Sequence, residues 1–221
     1  SVPLSHPAGS TGLRLPRAQI IPAIGVLLLG TLTLSAIFAP LVAPFDPAMV
    51  SGKPFERPSA AHLLGTNDIG QDIFSEIIWG TRVSMTVGVL AALVATLLGV
   101  TVGVVSAYFR GAADALLMRI VDVILSLPFL PLMILLAAFL GPSMVTIIIV
   151  VGLVVWARPS RIIRSQVLSL TGREYIAAAR CIGAGHRRIL TRHLLPGVTG
   201  LAVAEFVQAA AGAILIESSL S

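Results

Sequence analysis

One lysine, one cysteine and few charges of any kind mark this 221-residue chain. The lysine, Lys53, is followed by Pro54. A nucleotide-binding phosphate loop needs lysine followed by Ser or Thr after its glycines, so this sequence holds no such loop. Cys181 has no partner for an internal disulfide. The four histidines, His6, His62, His186 and His193, are dispersed, and neither H-E-x-x-H nor a Cys/His cluster is present. No metal site is expected. G-x-S-x-G is missing too, and no residue presents itself as catalytic.

Charged residues make up 11% of the chain, against about 25% in soluble domains. Hydrophobic residues make up 56%, and the mean hydropathy is +0.97. A soluble domain of this composition could not cover its surface with polar groups. The apolar runs last about 20 residues without alternating, which favours helices over a β-barrel and predicts an all-α, polytopic transmembrane helical bundle. The net charge of +5 does not indicate nucleic acid. Eight of the fifteen basic residues fall between residues 158 and 192 beside a single acid, Glu174, which is how a cytoplasmic loop reads in a membrane protein.

Five spans are expected. The first covers residues 20–42. Arg14 and Arg17 precede it, so the segment 1–19 is expected to be cytoplasmic. Residues 43–82 then lie outside and are long enough to carry structure. Within them, residues 68–72 lead into a short amphipathic helix with Ile73, Phe74, Ile77 and Ile78 on one face, suited to lie along the membrane surface. The second span, residues 83–108, contains Gly99-Val-Thr-Val-Gly103, a spacing that admits another helix closely. A short loop leads to the third, 123–140, where Pro128 and Pro131 predict a break. That bend either lines a pathway or packs on its neighbours. The fourth covers 144–156, reaching 163 if tilted. A basic cytoplasmic loop, 158–197, separates it from the fifth, 198–220.

That loop carries the most specific pattern. Thr171-Gly-Arg-Glu174 fits a capping box that opens a helix, and Gly183 suits its end. A second short helix, residues 186–194, is expected to halt at Pro196. Tyr175, Ala178, Ala179 and Ile182 share a helical face, one ring beside small side chains. Arg173, Arg180, His186, Arg187, Arg188, Arg192 and His193 flank it. Such a face suits a docked protein or an anionic lipid surface, and the physics alone leaves both open.

Ala178-Ala179, Gly183 and Leu195-Pro196 resemble the cytoplasmic loop motif of ABC importer permeases: EAA, three residues, Gly, nine residues, then a hydrophobic residue before Leu-Pro. More narrowly, the chain resembles the second permease of dipeptide, oligopeptide and nickel importers. Supporting segments are Leu41-Val-Ala-Pro-Phe-Asp-Pro47, His62-Leu-Leu-Gly-Thr66 with Asp68, Gly70 and Asp72, Gly80-Thr-Arg-Val-Ser84, Arg119-Ile-Val-Asp122 and Glu217-Ser-Ser-Leu-Ser221. The resemblance covers nearly all of residues 20–221. It departs at Ala177, where the motif has its acid, and at Gln71, where the family usually has Arg. The family's sixth span has no counterpart after Glu217, so the chain is expected to continue.

The resemblance implies a permease domain over residues 20–221 in a prokaryotic plasma (inner) membrane, paired with a second permease subunit. It implies two cytoplasmic ATPase subunits holding ATP and Mg, and an extracytoplasmic substrate-binding protein. No cofactor is expected in this chain. Glu174, Tyr175, Ala178, Ala179, Arg180, Gly183 and Ala184 would dock on the ATPase. Gly65, Thr66, Asp68, Gly70 and Asp72 would gate the path or meet the binding protein. Pro128, Pro131 and Glu217 are pathway candidates. Two alternatives remain, a secondary transporter and a lipid-associated scaffold. A secondary transporter would use ionisable groups at mid-depth, but Glu205 and Glu217 are each expected within about two turns of an end of the fifth span.

Overall fold

The computed structural model describes residues 17–141 and 143–220. Every regular element among them is helical, and a single bridge between Thr66 and Asp72 is the one β pairing. Three helices are long and apolar enough to cross a membrane, and a bent pair makes a fourth. The all-α membrane bundle expected from composition is what forms. Contacts divide the chain into two compact units, residues 1–79 and 80–221. The expected segment 1–19 lies largely outside the described residues.

In the first unit, α1 (Arg17–Ile37) is followed by a short turn of helix, α2 (Ala39–Val42). Val26, Leu27, Leu28 and Leu29 are all exposed, as in a helix whose solvent is hydrocarbon. The hydroxyls of Thr31, Thr33 and Ser35 donate to carbonyls one turn back, at 2.7–2.8 Å, so these three polar groups are satisfied within the helix.

Helix α3 (Ile73–Phe109) runs unbroken for 37 residues. The separate surface helix expected over residues 73–78 is therefore its first turns. Asp72 opens it, with Oδ2 accepting from the Ser75 N–H at 2.9 Å. Nothing then stops it: no proline intervenes, and its glycines, Gly80, Gly88, Gly99 and Gly103, are each isolated and tolerated in a helix. At 1.5 Å per residue it is about 55 Å long. It ends in a sharp reversal through Arg110 (φ 54°) and Gly111 (φ 58°).

In the second unit, α4 (Gly111–Ser126) and α5 (Phe129–Leu140) replace the expected loop and third span. They are bent by 94°. The break falls at Leu127, held extended (ψ 140°) ahead of Pro128, because the proline ring excludes the helical conformation for the residue before it. The helix also begins well before residue 123, since residues 111–122 carry an apolar stripe.

Helices α6 (Met144–Val155) and α7 (Ala157–Thr171) run on through Trp156, whose carbonyl accepts from Ser160 N–H at 3.1 Å. The segment Met144–Thr171 is thus one span of 28 residues, and Arg158, Arg161 and Arg164 lie on a helix rather than in a loop. Helix α8 (Glu174–Cys181) follows. Then α9 (His186–Ile189), a widened π turn over Leu190–Leu194, and α10 (Leu195–Leu220) form one long helix. The expected halt at Pro196 does not occur. Proline lacks the N–H for the carbonyl four residues back and clashes with it. Here the preceding turn opens by one residue, with Leu195 N–H bonding to Leu190 O, and the chain passes the proline still helical.

The seam between α3 and α7 fixes the unit. A Cβ on Gly99 would sit 2.8 Å from Pro159 Cβ, and one on Gly103 would sit 2.6 Å from Ser160 O and 2.9 Å from Ile163 Cβ. The small residues let two backbones touch, as their spacing suggests. Beyond the seam, one core joins the α3 end (Val104, Ala107, Tyr108), α7 (Ile163, Val167, Leu170), α8 (Ile176) and the start of the last helix (Ile189, Leu194, Val198).

A side chain on Gly103 meets backbone that cannot swing aside. Gly103→Val is expected to destabilise the chain by about 3 kcal/mol, at the upper end of overpacking costs. Gly200→Ala, with nothing within 4 Å, is expected to be neutral or mildly stabilising. Thermal melting of both variants in the same detergent checks this.

Candidate functional site: the α8 elbow and its supports

Helix α8 does not begin with the expected capping box. Thr171 is the last residue of α7, where its hydroxyl donates to Leu168 O at 2.9 Å and accepts from Arg110 Nη2 at 3.2 Å. The N-cap is Arg173, extended and without a side-chain cap, and Glu174 sits in the first turn, where its charge complements the helix dipole. The far end matches expectation. Gly183 has φ +83°, its N–H bonds to Arg180 O, and Ala184 N–H bonds to Ala179 O, each at 3.0 Å. This pair of bonds is a Schellman motif, and it turns the chain back into α9.

Ile176, which the sequence reading left aside, anchors α8. It is fully buried beside Val104, Ala107, Tyr108, Ile163, Val167 and Leu170. Ala179 turns inward as well, at 8% exposure, so the outward face is narrower than expected: Tyr175, Ala178 and Ile182, the last 84% exposed. Glu174, Arg180, Gly183 and Cys181 are exposed beside it, and Ala184 is half-buried. Between α8 and the start of the last helix lies a hollow of about 310 Å³, lined by Tyr175, Ala178, Ala179, Ile182, Arg188 and His193. Tyr175 and His193 face each other across it, ring centres 6.1 Å apart. The elbow is fastened from beneath by Tyr108, whose hydroxyl lies 2.7 Å from His186 Nδ1 and whose ring lies 6.0 Å below the Arg180 guanidinium.

A second support joins α4 to α7. The Arg164 fork donates Nε to Asp114 Oδ1 at 2.7 Å and Nη2 to Oδ2 at 2.6 Å, while Ser106 of α3 donates to the same carboxylate. Asp122, in the Arg119–Asp122 segment, pairs with Arg161. The sequence showed these charges without their pairing, because helices expected as loops carry them.

In the first unit, residues 51–72 fold onto themselves. Ser51 and Gly52 N–H donate to Gly70 O, and Thr66 N–H donates to Glu56 O. Gly65 (φ +80°) and Gly70 (φ +84°) adopt left-handed backbone, and a side chain on either would run into a carbonyl, of Glu56 and Gly52 respectively. Thr66 Oγ1 accepts from Glu56 N–H at 2.9 Å and donates to Lys53 O. Asp72 is almost fully buried, with Oδ1 3.0 Å from His62 Nδ1 and Oδ2 taking the Ser75 hydroxyl at 2.8 Å. Asn67 ties the tip, accepting from Ile69 and Gln71 N–H and donating to Gln71 and Glu76. Of the five residues expected at a gate or contact, Gly65, Thr66, Gly70 and Asp72 are buried framework, and Asp68 is exposed beside Ile69.

Among the pathway candidates, Pro128 makes the α4–α5 break, and Pro131 is exposed in α5. Glu217 turns inward, 7% exposed, where it accepts from Ser84 Oγ at 2.7 Å and ties α10 to α3.

Apolar spans tied at one end to a short, anchored helical elbow define a polytopic helical membrane component. Residues 99–221 match the family described as binding-protein-dependent transport system inner membrane component. The chain is 36% identical over 200 residues to the dipeptide transport system permease protein of Bacillus subtilis strain 168, covering 89% of this chain and 62% of that one. It is 34% identical over 206 residues to the oligopeptide transport system permease protein of the same organism, covering 93% and 68%. It is 37% identical over 166 residues to a glutathione transport system permease protein of Pectobacterium atrosepticum, covering 75% and 55%. The chain belongs to this family of transport-system inner membrane components, and it spans about 62% of the length of the first of these relatives.

Burial of Asp72 opposes its charge, but the Ser75 N–H, the Ser75 hydroxyl and His62 outweigh it and hold the carboxyl below its ordinary value of 3.8. A carboxyl more acidic when folded than when unfolded contributes fully above that ordinary value, and the contribution is lost as pH falls through the lower folded one. Protection factors of the Thr66 and Asn67 amides are expected to fall as pH drops from about 6 to about 3. In Asp72→Asn they are expected to be lower at neutral pH and nearly flat over the same range.

Proposed function

We propose that this chain forms half of the translocation pathway of an ATP-driven importer of peptides or related small solutes. The observation that carries this is the α8 elbow, an exposed Tyr175, Ala178 and Ile182 face on a helix whose other side is locked by Ile176 into the ends of three spans. A cytoplasmic ATPase subunit docks there, with Glu174, Arg180, Gly183 and Ala184 at the margin and Ala179 at the base of the hollow. ATP and Mg belong to that subunit. Its closure pushes α8, and the shared core passes the push to α3, α7 and α10 together.

A second permease subunit supplies the other wall of the path. An extracytoplasmic substrate-binding protein delivers the solute, meeting the exposed tip at Asp68 and Ile69 that Gly65, Thr66, Gly70 and Asp72 support from within. The chain lies in a prokaryotic plasma membrane, among its lipids, with its N-terminus cytoplasmic. The peptide class rests on the names of the relatives, which include dipeptide, oligopeptide and glutathione systems. Family membership favours this reading over a secondary transporter or a lipid-bound scaffold.

Ala178 is exposed, so Ala178→Arg should leave the fold intact while burying an unmatched charge in the docked face. ATPase co-purification is expected to drop at least about tenfold, with uptake falling in parallel. Gly183→Leu meets no neighbour within 4 Å but must hold φ +83°, at a cost of about 1–2 kcal/mol, and is expected to uncouple uptake from ATP hydrolysis. Normal uptake with both variants would reject the docking role.

A further inference from the structure

Helix α7 carries three arginines within two turns, and their treatment differs. Arg161 pairs with Asp122 and Arg164 with Asp114, both acids of α4. Arg158 makes no ion pair, although Glu205 of α10 faces the same recess. The recess has a volume of about 140 Å³ and is walled by Arg158, Pro159, Glu205, Gln208, Gly212 and Ile216. It is smaller than the ~300 Å³ and above of a complete ligand site, as suits one wall of a path whose other wall is another chain.

The position of the recess was hidden in the sequence. Starting the fifth span after Pro196 puts Glu205 near its end. Because the helix runs from His186 to beyond Ser219, Glu205 is well inside it, about 28 Å along the helix from His186. Arg158 is about 21 Å along the other span from Met144, and the two charges line one recess. Ionisable groups inside spans are expensive and are retained where they face a solute path or a partner group. The last helix is also the least covered: 11% of its most apolar window is buried, against 50% for each of the other two long spans. Its open side is where a path would run.

We propose that Arg158, Glu205 and Gln208 form a subsite on the translocation path that holds the charged ends of a zwitterionic peptide in passage. The guanidinium takes the terminal carboxylate, Glu205 takes the terminal ammonium, and the Gln208 amide bonds to the peptide backbone. One cation, one anion and one amide, free of one another, match that class better than a simple anion or cation. This rests on the importer reading above.

The test uses the complete transporter reconstituted in vesicles with ATP on the ATPase side. The probes are radiolabelled tri-alanine, its N-acetyl derivative and its C-terminal amide. Glu205→Gln and Arg158→Gln are expected to lower the maximal ATP-dependent uptake of tri-alanine about tenfold while still co-purifying with the same companions. Glu205→Gln should carry the N-acetyl derivative, which lacks the ammonium, no worse than the wild type does. Arg158→Gln should likewise match the wild type on the amide. Wild-type tri-alanine uptake in both variants, or equal loss of all three probes, overturns the subsite and leaves the importer standing. No ATP-dependent uptake of any probe by the wild type removes the peptide importer reading, and the subsite with it.

Discussion

The contact of two backbones at Gly99 and Gly103 is the constraint from which the rest of the second unit follows. Any side chain there would hold α3 and α7 apart, since the atoms opposite are Pro159 Cβ, Ser160 O and Ile163 Cβ. With the helices in touch, Ser106 and Arg164 reach the same Asp114 carboxylate, and α4 is drawn in by its own acids. The same closeness brings Tyr108 under the elbow and leaves a socket that Ile176 fills. Without a hydrophobic effect between helices in lipid, association rests on such close packing and on interhelical hydrogen bonds, and both are concentrated along this seam.

The elbow gains its mechanical meaning from that socket. An eight-residue helix is too short to be stable alone. It persists because its inner face belongs to the core where α3, α7 and the last helix converge. A force on its outer face is therefore applied to three spans at once. The widened turn at Leu190–Leu194 keeps the chain helical past Pro196, so the return from the elbow and the last span are one continuous helix.

Much of this was legible in the sequence, and the errors share a cause. Composition and continuous apolar runs were enough for the bundle, and the glycine spacing at 99 and 103, the break at Pro128 and the reversal at Gly183 formed as their local chemistry dictates. Misread boundaries came from taking polarity to mean loop. Residues 111–122 and 158–171 are charged yet helical, because Asp114, Asp122, Arg161 and Arg164 satisfy one another between helices. Pro196 looked like a stop because a π turn leaves no mark in a sequence. Thr171 looked like a cap because nothing in the pattern says that α7 already claims it. Inward residues such as Ile176, Ala179 and Glu217 are set by tertiary neighbours that periodicity cannot name. In the loop of the first unit, Gly65, Thr66, Gly70 and Asp72 stood out as a motif, and their burial shows that the motif is largely the loop's own scaffold.

The most direct test of the central claim, that this chain is one wall of an ATP-driven importer driven through its elbow, is to purify the full-length chain from native membranes in mild detergent and identify its companions by mass. The account predicts a second membrane component of the same family and one or two chains carrying a phosphate-binding loop. A homo-oligomer without any ATPase would contradict it.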